Sequence, residues 1–393
     1  MNLLLKNLSW IQDNIEYTGD LRIAGDRIIE IDLQLLPARN EKTLDFQNHF
    51  AYRGLINAHD HLEMNLYPKL GQPPYNNYID WARDIFRPEE SPVKEIQRVD
   101  LADRLSWGCC KNLLSGVTTV IHHNDFYKSV FRKNFPISVF EDYEWAHSLA
   151  FEKNVRTKYR ADKKFIIHAA EGVDKIAYEE IDRLVEWGIL KSNTVIVHGV
   201  ALNDRHIETL AKAGSALVWC PSSNDYLFRQ TAPVNTLKNK IPVMLGTDST
   251  LTGSATLFEE MQTALNTGFV TAKEIYEMVT YTPARVFGLS TSLTKGNLAD
   301  IMVMPRHYDN YYENLVMSNS ADISLLLSRG EPQLIGVDSA KTLDSIPNAF
   351  IHQTPKWIGC DITRLKKQIE KDVDTSILIR NPLWNLINAV IHA

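Results

Sequence analysis

Cysteine is scarce in this chain: its 393 residues include 4, at positions 109, 110, 220 and 360, with no CxxC pair. Such spacing excludes a disulfide framework and a thiolate zinc ribbon. Cys109, Cys110, Cys220 and Cys360 therefore read as reduced packing residues in a reducing compartment. Excess positive charge is missing as well, and the formal net charge of −6 gives no general pull toward nucleic acid or an anionic membrane. No apolar run approaches the ~20 residues that cross a bilayer. Met1-Asn2-Leu3-Leu4-Leu5-Lys6-Asn7 is too short, and too soon interrupted, for a signal peptide. The expectation is a cytoplasmic enzyme without nucleic-acid or membrane partners. The basic stretch Arg364 to Lys371 reads as a solvated helix face. The apolar tail Trp384 to Ile391 reads as a segment that packs on the main body or on a second subunit.

Histidine, by contrast, stands where chemistry needs it. Gly54-Leu55-Ile56-Asn57-Ala58 runs as an apolar strand into His59-Asp60-His61. Residues i and i+2 of a strand share a side, so His59 and His61 can ligate one ion while Asp60 points away. Three further polar residues end apolar runs: His168 after Lys164 to Ile167, His198 after Thr194 to Val197, and Asp248 after Val243 to Thr247. A purely structural protein has little reason to end so many buried runs this way, because a buried ionisable group costs several kcal/mol unless paired or coordinated. Three imidazoles and a carboxylate suit one divalent metal ion, zinc first, with iron or manganese as options. His59, His61, His168 and Asp248 form that set. A metal so held lowers the pKa of a water toward ~7, and Asp248 can accept its proton. His198 is then the neighbouring acid/base and orienting group. Glu171, three residues after His168, is placed to protonate a ring nitrogen or leaving group.

Residues 1–50 alternate apolar and polar in short pieces, and the same texture returns in Ala299 to Met304 and Gln333 to Asp338. Two β segments at opposite ends predict one small discontinuous β-sandwich from residues 1–50 and 291–393, with a helical tail. Residues 51–290 alternate strands with helical stretches, the pattern of an α/β fold of (β/α)8 TIM-barrel type. Amphipathic helices are predicted over Lys94 to Leu114, Lys175 to Trp187, Asp204 to Ala213 and Leu257 to Asn266. Only seven strands are convincing, ending near Ala58, His123, Glu141, His168, His198, Cys220 and Asp248. Either one βα unit is degenerate or Ile137 to Tyr143 serves where two strands normally do. In such barrels chemistry gathers at the C-terminal strand ends. Candidates there for substrate contact are His123, Trp145, His147 and Asn224. The insert Leu62 to Pro92, rich in proline and aromatics, reads as a lid over a flat heterocycle or as a subunit interface. Glu63 and Asn65 lie near the first ligands.

Gly54 to His61, His168-Ala169-Ala170-Glu171, Val197-His198-Gly199, Cys220 to Asn224, Gly246-Thr247-Asp248-Ser249 and Gly296 to Asp300 together resemble the amidohydrolase superfamily. The nearest branch is the one holding cytosine deaminase, guanine deaminase, S-adenosylhomocysteine deaminase and the triazine hydrolases. The His-x-x-Glu step is similar to its mononuclear members, whereas two-metal branches use a bridging carboxylated lysine. The resemblance implies one metal, a barrel with a composite β-domain, a small heterocyclic substrate and a homo-oligomer. It implies hydrolysis of a carbon–nitrogen bond, foremost deamination of a purine, pterin, pyrimidine or triazine. The alternatives are hydrolytic ring opening of a cyclic amide or imidazolone and, from another class, a non-catalytic binding protein on the same scaffold.

Overall fold

The alternating N-terminal pieces become strands because every second side chain has an apolar face to cover. They are β1 (Asn2–Gln12), β2 (Ile15–Ala24), β3 (Arg27–Asp32) and β4 (Lys42–Arg53). Leu3, Leu5, Leu8 and Trp10 of β1 pack with Leu21, Ile23 and Ile28 in a core separate from that of the central region. The computed structural model describes residues 1–132, 134–290 and 292–389. The domain boundary expected at residue 291, and the tail positions Val390 and Ile391, lie outside the described residues.

The central region holds β5 (Leu55–Asp60), β6 (Val117–His122), β7 (Ser138–Val139), β8 (Tyr143–Ser148), β9 (Lys164–Ala169), β10 (Thr194–His198), β11 (Ala216–Trp219) and β12 (Val243–Leu245). All their ladders are parallel, in one sheet of order β12-β11-β10-β9-β8 and another of order β5-β6-β7. Helices and loops cover the outside, which is why these strands read as unbroken apolar runs rather than alternating ones.

The region of uncertain strand count has a definite form. The strand expected to end near Glu141 continues past a break at 140–142 and ends at Ser148. β7 pairs with β6, whereas β8 pairs with β9. Three intervening residues span roughly 10 Å, too little for a parallel crossover, which takes about a dozen residues or more. β7 and β8 are therefore two pieces of one kinked passage that links the two sheets.

At the opposite edge β12 meets β5 end to end, where Asp248 N–H donates to His59 O at 3.1 Å. Gly246 permits this approach. A Cβ there would lie 2.6 Å from His59 Cβ and 2.9 Å from His59 N.

The C-terminal part supplies β13 (Ile301–Pro305), β14 (Leu325–Ser328), β15 (Glu331–Gly336), β16 (Ala349–Ile351), β17 (Thr354–Ile358) and β18 (Ile387–Ala389). β13 runs antiparallel to β4, with Ile301 opposite Arg53. That pairing corrects the expected sandwich, because the two chain ends join in one ten-stranded sheet of order β18-β16-β17-β15-β14-β13-β4-β1-β2-β3. Among helices, Asp204–Ala213 and Leu257–Asn266 match expectation. The stretch Lys94 to Leu114 is instead two helices, Val93–Arg98 and Leu101–Leu113, divided where Asp100 caps the second through Ala102 N–H. Among the described residues no helix is long and apolar enough to cross a membrane.

Gly246→Ala forces β5 and β12 apart at their junction. Urea unfolding is expected to show a loss of about 1–3 kcal/mol, and an unchanged midpoint would contradict the tight approach.

Candidate metal centre and its cavity

The C-terminal ends of β5, β9, β10 and β12 converge. His59 and His61 leave β5 on one side, as the period of two requires. His168 Nε2 lies 3.2 Å from His59 Nε2 and 3.4 Å from His61 Nε2. Asp248 Oδ1 lies 3.8 Å from the Nε2 atoms of both His59 and His61. All four side chains are buried. Ligand atoms bound tetrahedrally to one ion at ~2.0–2.1 Å stand about 3.3 Å apart, so this spacing fits a single divalent metal. Two overlapping groups of buried side chains could hold an ion, His59, His61, His123 and His168 in one and His59, His198 and Asp248 in the other.

Hydrogen bonds fix which ring nitrogens are free. His123 Nε2 lies 3.0 Å from Ala146 O, and since a carbonyl only accepts, that nitrogen carries the proton. His123 Nδ1 is then an acceptor, and His59 Nδ1–H donates to it at 3.3 Å. The lone pair of His59 is left on Nε2, facing His168. In the same way Asn224 Oδ1, 2.9 Å from His198 Nδ1, keeps the proton there and leaves His198 Nε2 as an acceptor. That nitrogen faces Glu171 Oε1 at 3.6 Å.

Burial holds His59, His123 and His168 well below the usual histidine range, reinforced by their mutual repulsion, and lowers His198 too. Neutral imidazole is the form that ligates. Burial alone would raise Asp248, but His61, His198 and the hydroxyls of Ser223 and Thr252 outweigh it and keep the carboxylate ionised. Ser223 and Thr252 donate to Asp248 Oδ2 at 2.8 and 2.9 Å, and Ser249 N–H donates to Oδ1 at 2.8 Å. Glu171 goes the other way, because burial first and then Asp248 and Glu180 push its carboxyl well above the usual range. The two carboxyls of one site are thus shifted in opposite directions, as an acid/base pair requires. Ala170, His198 and Asp248 adopt positive φ of 54°, 74° and 53°. For residues other than glycine this costs about 1–3 kcal/mol each, a strain typical of functional sites.

Asp60 anchors the centre from behind. It accepts from Asn65 Nδ2 at 2.9 Å, Asn112 Nδ2 at 2.8 Å and the Lys111 ammonium at 3.3 Å. Lys111 also donates to Asp248 O at 2.5 Å, so one buried cation ties β5 to the loop after β12. Nothing in the sequence marked Lys111 or Asn112, since a lysine in the last turn of a helix reads as solvated. Thr252 was equally unmarked, and Ser223 stood within the Cys220 to Asn224 motif without a role assigned to it.

In front of the centre lies a cavity of about 970 Å³. His61, His147, His168, Glu171, His198 and Asp248 line its floor, and Tyr67, Leu70, Tyr78, Trp81, Ile85 and Phe86 from the proline-rich insert line its roof. The insert therefore covers the site. Its helix Tyr78–Ile85 is capped by Asn77 and moored to the loop after Glu171, where Tyr78 N–H donates to Glu171 O at 3.2 Å and Val173 N–H to Asn76 O at 2.7 Å.

Of the substrate-contact candidates, only His147 reaches the cavity wall; burial lowers it to about 4. His123 does not line the cavity; its ring lies against His168 at 4.2 Å between centroids, with Nδ1 on His59 and Nε2 on Ala146 O. Trp145 faces outward, its indole donating to Asp125 Oδ1 at 3.1 Å and its ring under Lys158. Asn224 is buried beneath His198. His122, neighbour of His123, faces Glu63 instead.

Because His123 holds the proton on the far nitrogen of His59, His123→Ala is expected to weaken zinc binding about 10–100-fold. Competition with a chromophoric chelator checks this, and unaltered affinity would remove His123 from the centre's support.

Residues 146–338 match the model of the Amidohydrolase family. The chain is 24% identical to the 5-methylthioadenosine/S-adenosylhomocysteine deaminase of Pyrococcus horikoshii, over 88% of this chain and 98% of that one. It is 26% identical to the 5'-deoxyadenosine deaminase of Methanothrix thermoacetophila, over 79% and 88%. The fold is shared with a zinc-bound adenosine deaminase from Xanthomonas campestris, at a TM-score of 0.68, 16% identity and coverage of 94% and 99%. It is shared also with the zinc complex of atrazine chlorohydrolase from Arthrobacter aurescens, at a TM-score of 0.72, 16% identity and the same coverage. Residues 146–338 thus match an amidohydrolase family domain, and the chain as a whole shares the fold of these zinc-bound structures.

Proposed function

We propose that the protein is a metal-dependent deaminase of an aminated heterocycle, with amino-purine nucleosides as the first class to test. The observation that carries the reading is the geometry of the cavity floor, where Glu171 Oε1 stands 3.6 Å from His198 Nε2 and Asp248 groups with His59 and His198, Glu171 being pushed above and Asp248 held below the usual carboxyl range. Deamination needs both states at once: an acid for the ring nitrogen, and a base for the attacking water. The named activities of the curated relatives, deamination of adenosine derivatives, support the same reading.

In this proposal His59, His61, His168 and Asp248 hold one divalent ion, zinc first, and the two parallel sheets close into one barrel whose C-terminal end carries them. When bound, the metal supplies the Lewis acidity that makes water a nucleophile at neutral pH. Asp248 takes a proton from the attacking water. Glu171 gives its proton to the ring nitrogen beside the carbon under attack, which makes that carbon electrophilic. His198, its Nε2 lone pair turned to the site by Asn224, hydrogen-bonds the incoming hydroxyl. The proton on Asp248 then passes to the departing amine, which leaves as ammonia. The added hydroxyl gives its proton back to Glu171 as the product carbonyl forms, and the ring nitrogen keeps the proton it received. Trp81, Phe86 and their neighbours keep bulk water from the exchange and stack on a flat ring.

Glu171→Gln is expected to lower kcat about 10²–10⁴-fold while keeping about one metal per chain, whereas Asp248→Asn loses activity and part of its metal. Elemental analysis with an ammonia assay reads both, and normal turnover in either variant would sink the mechanism. Since Glu171 acts in its protonated form, kcat/KM should fall as pH rises through its elevated pKa. That alkaline limb should vanish in the residual activity of Glu171→Gln. Dialysis against a strong chelator should abolish ammonia release and zinc should restore it. Turnover without ammonia would point instead to ring opening of a cyclic amide.

A further inference from the structure

One carboxylate on the cavity wall has no part in this mechanism. Glu63 sits two residues past His61 in the short helix Leu62–Met64, lines the cavity and is 5% exposed. Its position is fixed from two sides. Asn124 Nδ2 donates to Oε1 at 2.7 Å, and His122 Nε2 stands 3.7 Å from Oε2. Leu62 N–H approaches His122 Nδ1 at 3.4 Å, which leaves the His122 proton on Nε2, pointed at the carboxylate. Neither Glu63 Oε2 nor His122 Nε2 has a hydrogen-bond partner among the described residues. An ionised carboxyl offers about four acceptor sites, and in Glu63 one is used.

A buried acceptor with unmet capacity is costly unless a donor arrives. The metal-facing groups cannot supply it: His59 and His198 are committed to His123 and Asn224, and Glu171 faces His198. Tyr67, Gln97 and Arg104 also line this cavity, yet among the described residues none of them hydrogen-bonds Glu63 Oε2. A cavity of about 970 Å³ leaves room for a substrate larger than a bare heterocycle, and Glu63 stands on its wall.

We propose that Glu63, positioned by Asn124 and His122, is a specificity-determining residue that accepts a hydrogen bond from an O–H or N–H donor on the substrate outside the reacting amidine. This rests on the deaminase reading for its substrate class and deepens it: the substrate is a donor-bearing heterocycle, not an apolar one.

The test uses zinc-loaded wild type, Glu63→Gln and Glu63→Ala, each checked for equal metal content. The probes are adenosine, its 2'-, 3'- and 5'-deoxy counterparts, adenine and 9-methyladenine, with ammonia release and calorimetric binding as readouts. In the wild type, loss of the donor that Glu63 takes is expected to lower kcat/KM or affinity about 10–100-fold. In both variants that ratio should collapse toward one. A collapse among the deoxynucleosides assigns a sugar hydroxyl, and a collapse between adenine and 9-methyladenine assigns a ring N–H; both support the proposal. Ratios equal in wild type and variants would overturn it. If no probe releases ammonia, the amino-purine reading falls by itself, and the binding ratios still decide on Glu63. Absence of binding by every probe would overturn both. Should Glu63→Ala fail to fold, Glu63→Gln keeps the shape and an acceptor for Asn124, and its ratio decides.

Discussion

Three buried imidazoles and one buried carboxylate, with His168 within 3.4 Å and Asp248 within 3.8 Å of the Nε2 atoms of His59 and His61, are the constraint on which this molecule turns. No arrangement of protons lets His59, His61 and His168 all use their Nε2 atoms on one another, so the cluster is a costly one to fold unless a cation completes it. The support around it has two tasks. His123 turns His59, and Asn224 turns His198, so that the lone pairs face inward. Lys111 and Asp60 lock the backbone beneath, and breaking such a buried pair by removing one partner costs about 3–5 kcal/mol.

The same tethers reach the roof. Asn381, near the end of the described chain, is fully buried and donates to Asn65 O at 3.0 Å and Tyr67 O at 2.8 Å. Thr250, two residues past Asp248, bonds the same carbonyls and receives Asn381 in turn. The C-terminal segment thereby clamps the loop after His61 to the loop after Asp248. The insert is moored at its other end to the backbone of Glu171. Roof and floor of the cavity are thus held by shared hydrogen bonds, which lets a long, aromatic insert keep a defined shape over the reacting groups.

Much of the strand framework was legible because the central strands are covered on both faces. Burial on both faces forces unbroken runs such as Phe165-Ile166-Ile167 and Thr194-Val195-Ile196-Val197, and an ionisable residue at the end of such a run stands out. The passage 138–148 was not legible. Its pieces carry polar residues, Ser138, Glu141, Asp142 and Glu144, because β8 is an outer edge of its sheet and part of it faces solvent. The terminal sheet was readable as composite but not as continuous, since the β4–β13 pairing joins segments some 250 residues apart and leaves no local trace.

The sequence alone determined which residues could bind a metal. Strand period, apolar runs and the chemistry of His and Asp are local properties, and they put His59, His61, His168 and Asp248 at strand ends. What each histidine ring meets on its second nitrogen was decided by the tertiary structure. A ring's role depends on what its second nitrogen meets: Ala146 O for His123, Asn224 for His198, and the cavity for His147. The opposite pKa shifts of Glu171 and Asp248 likewise follow from their surroundings, because both carboxyls are buried but Asp248 has hydroxyl and N–H donors packed against it.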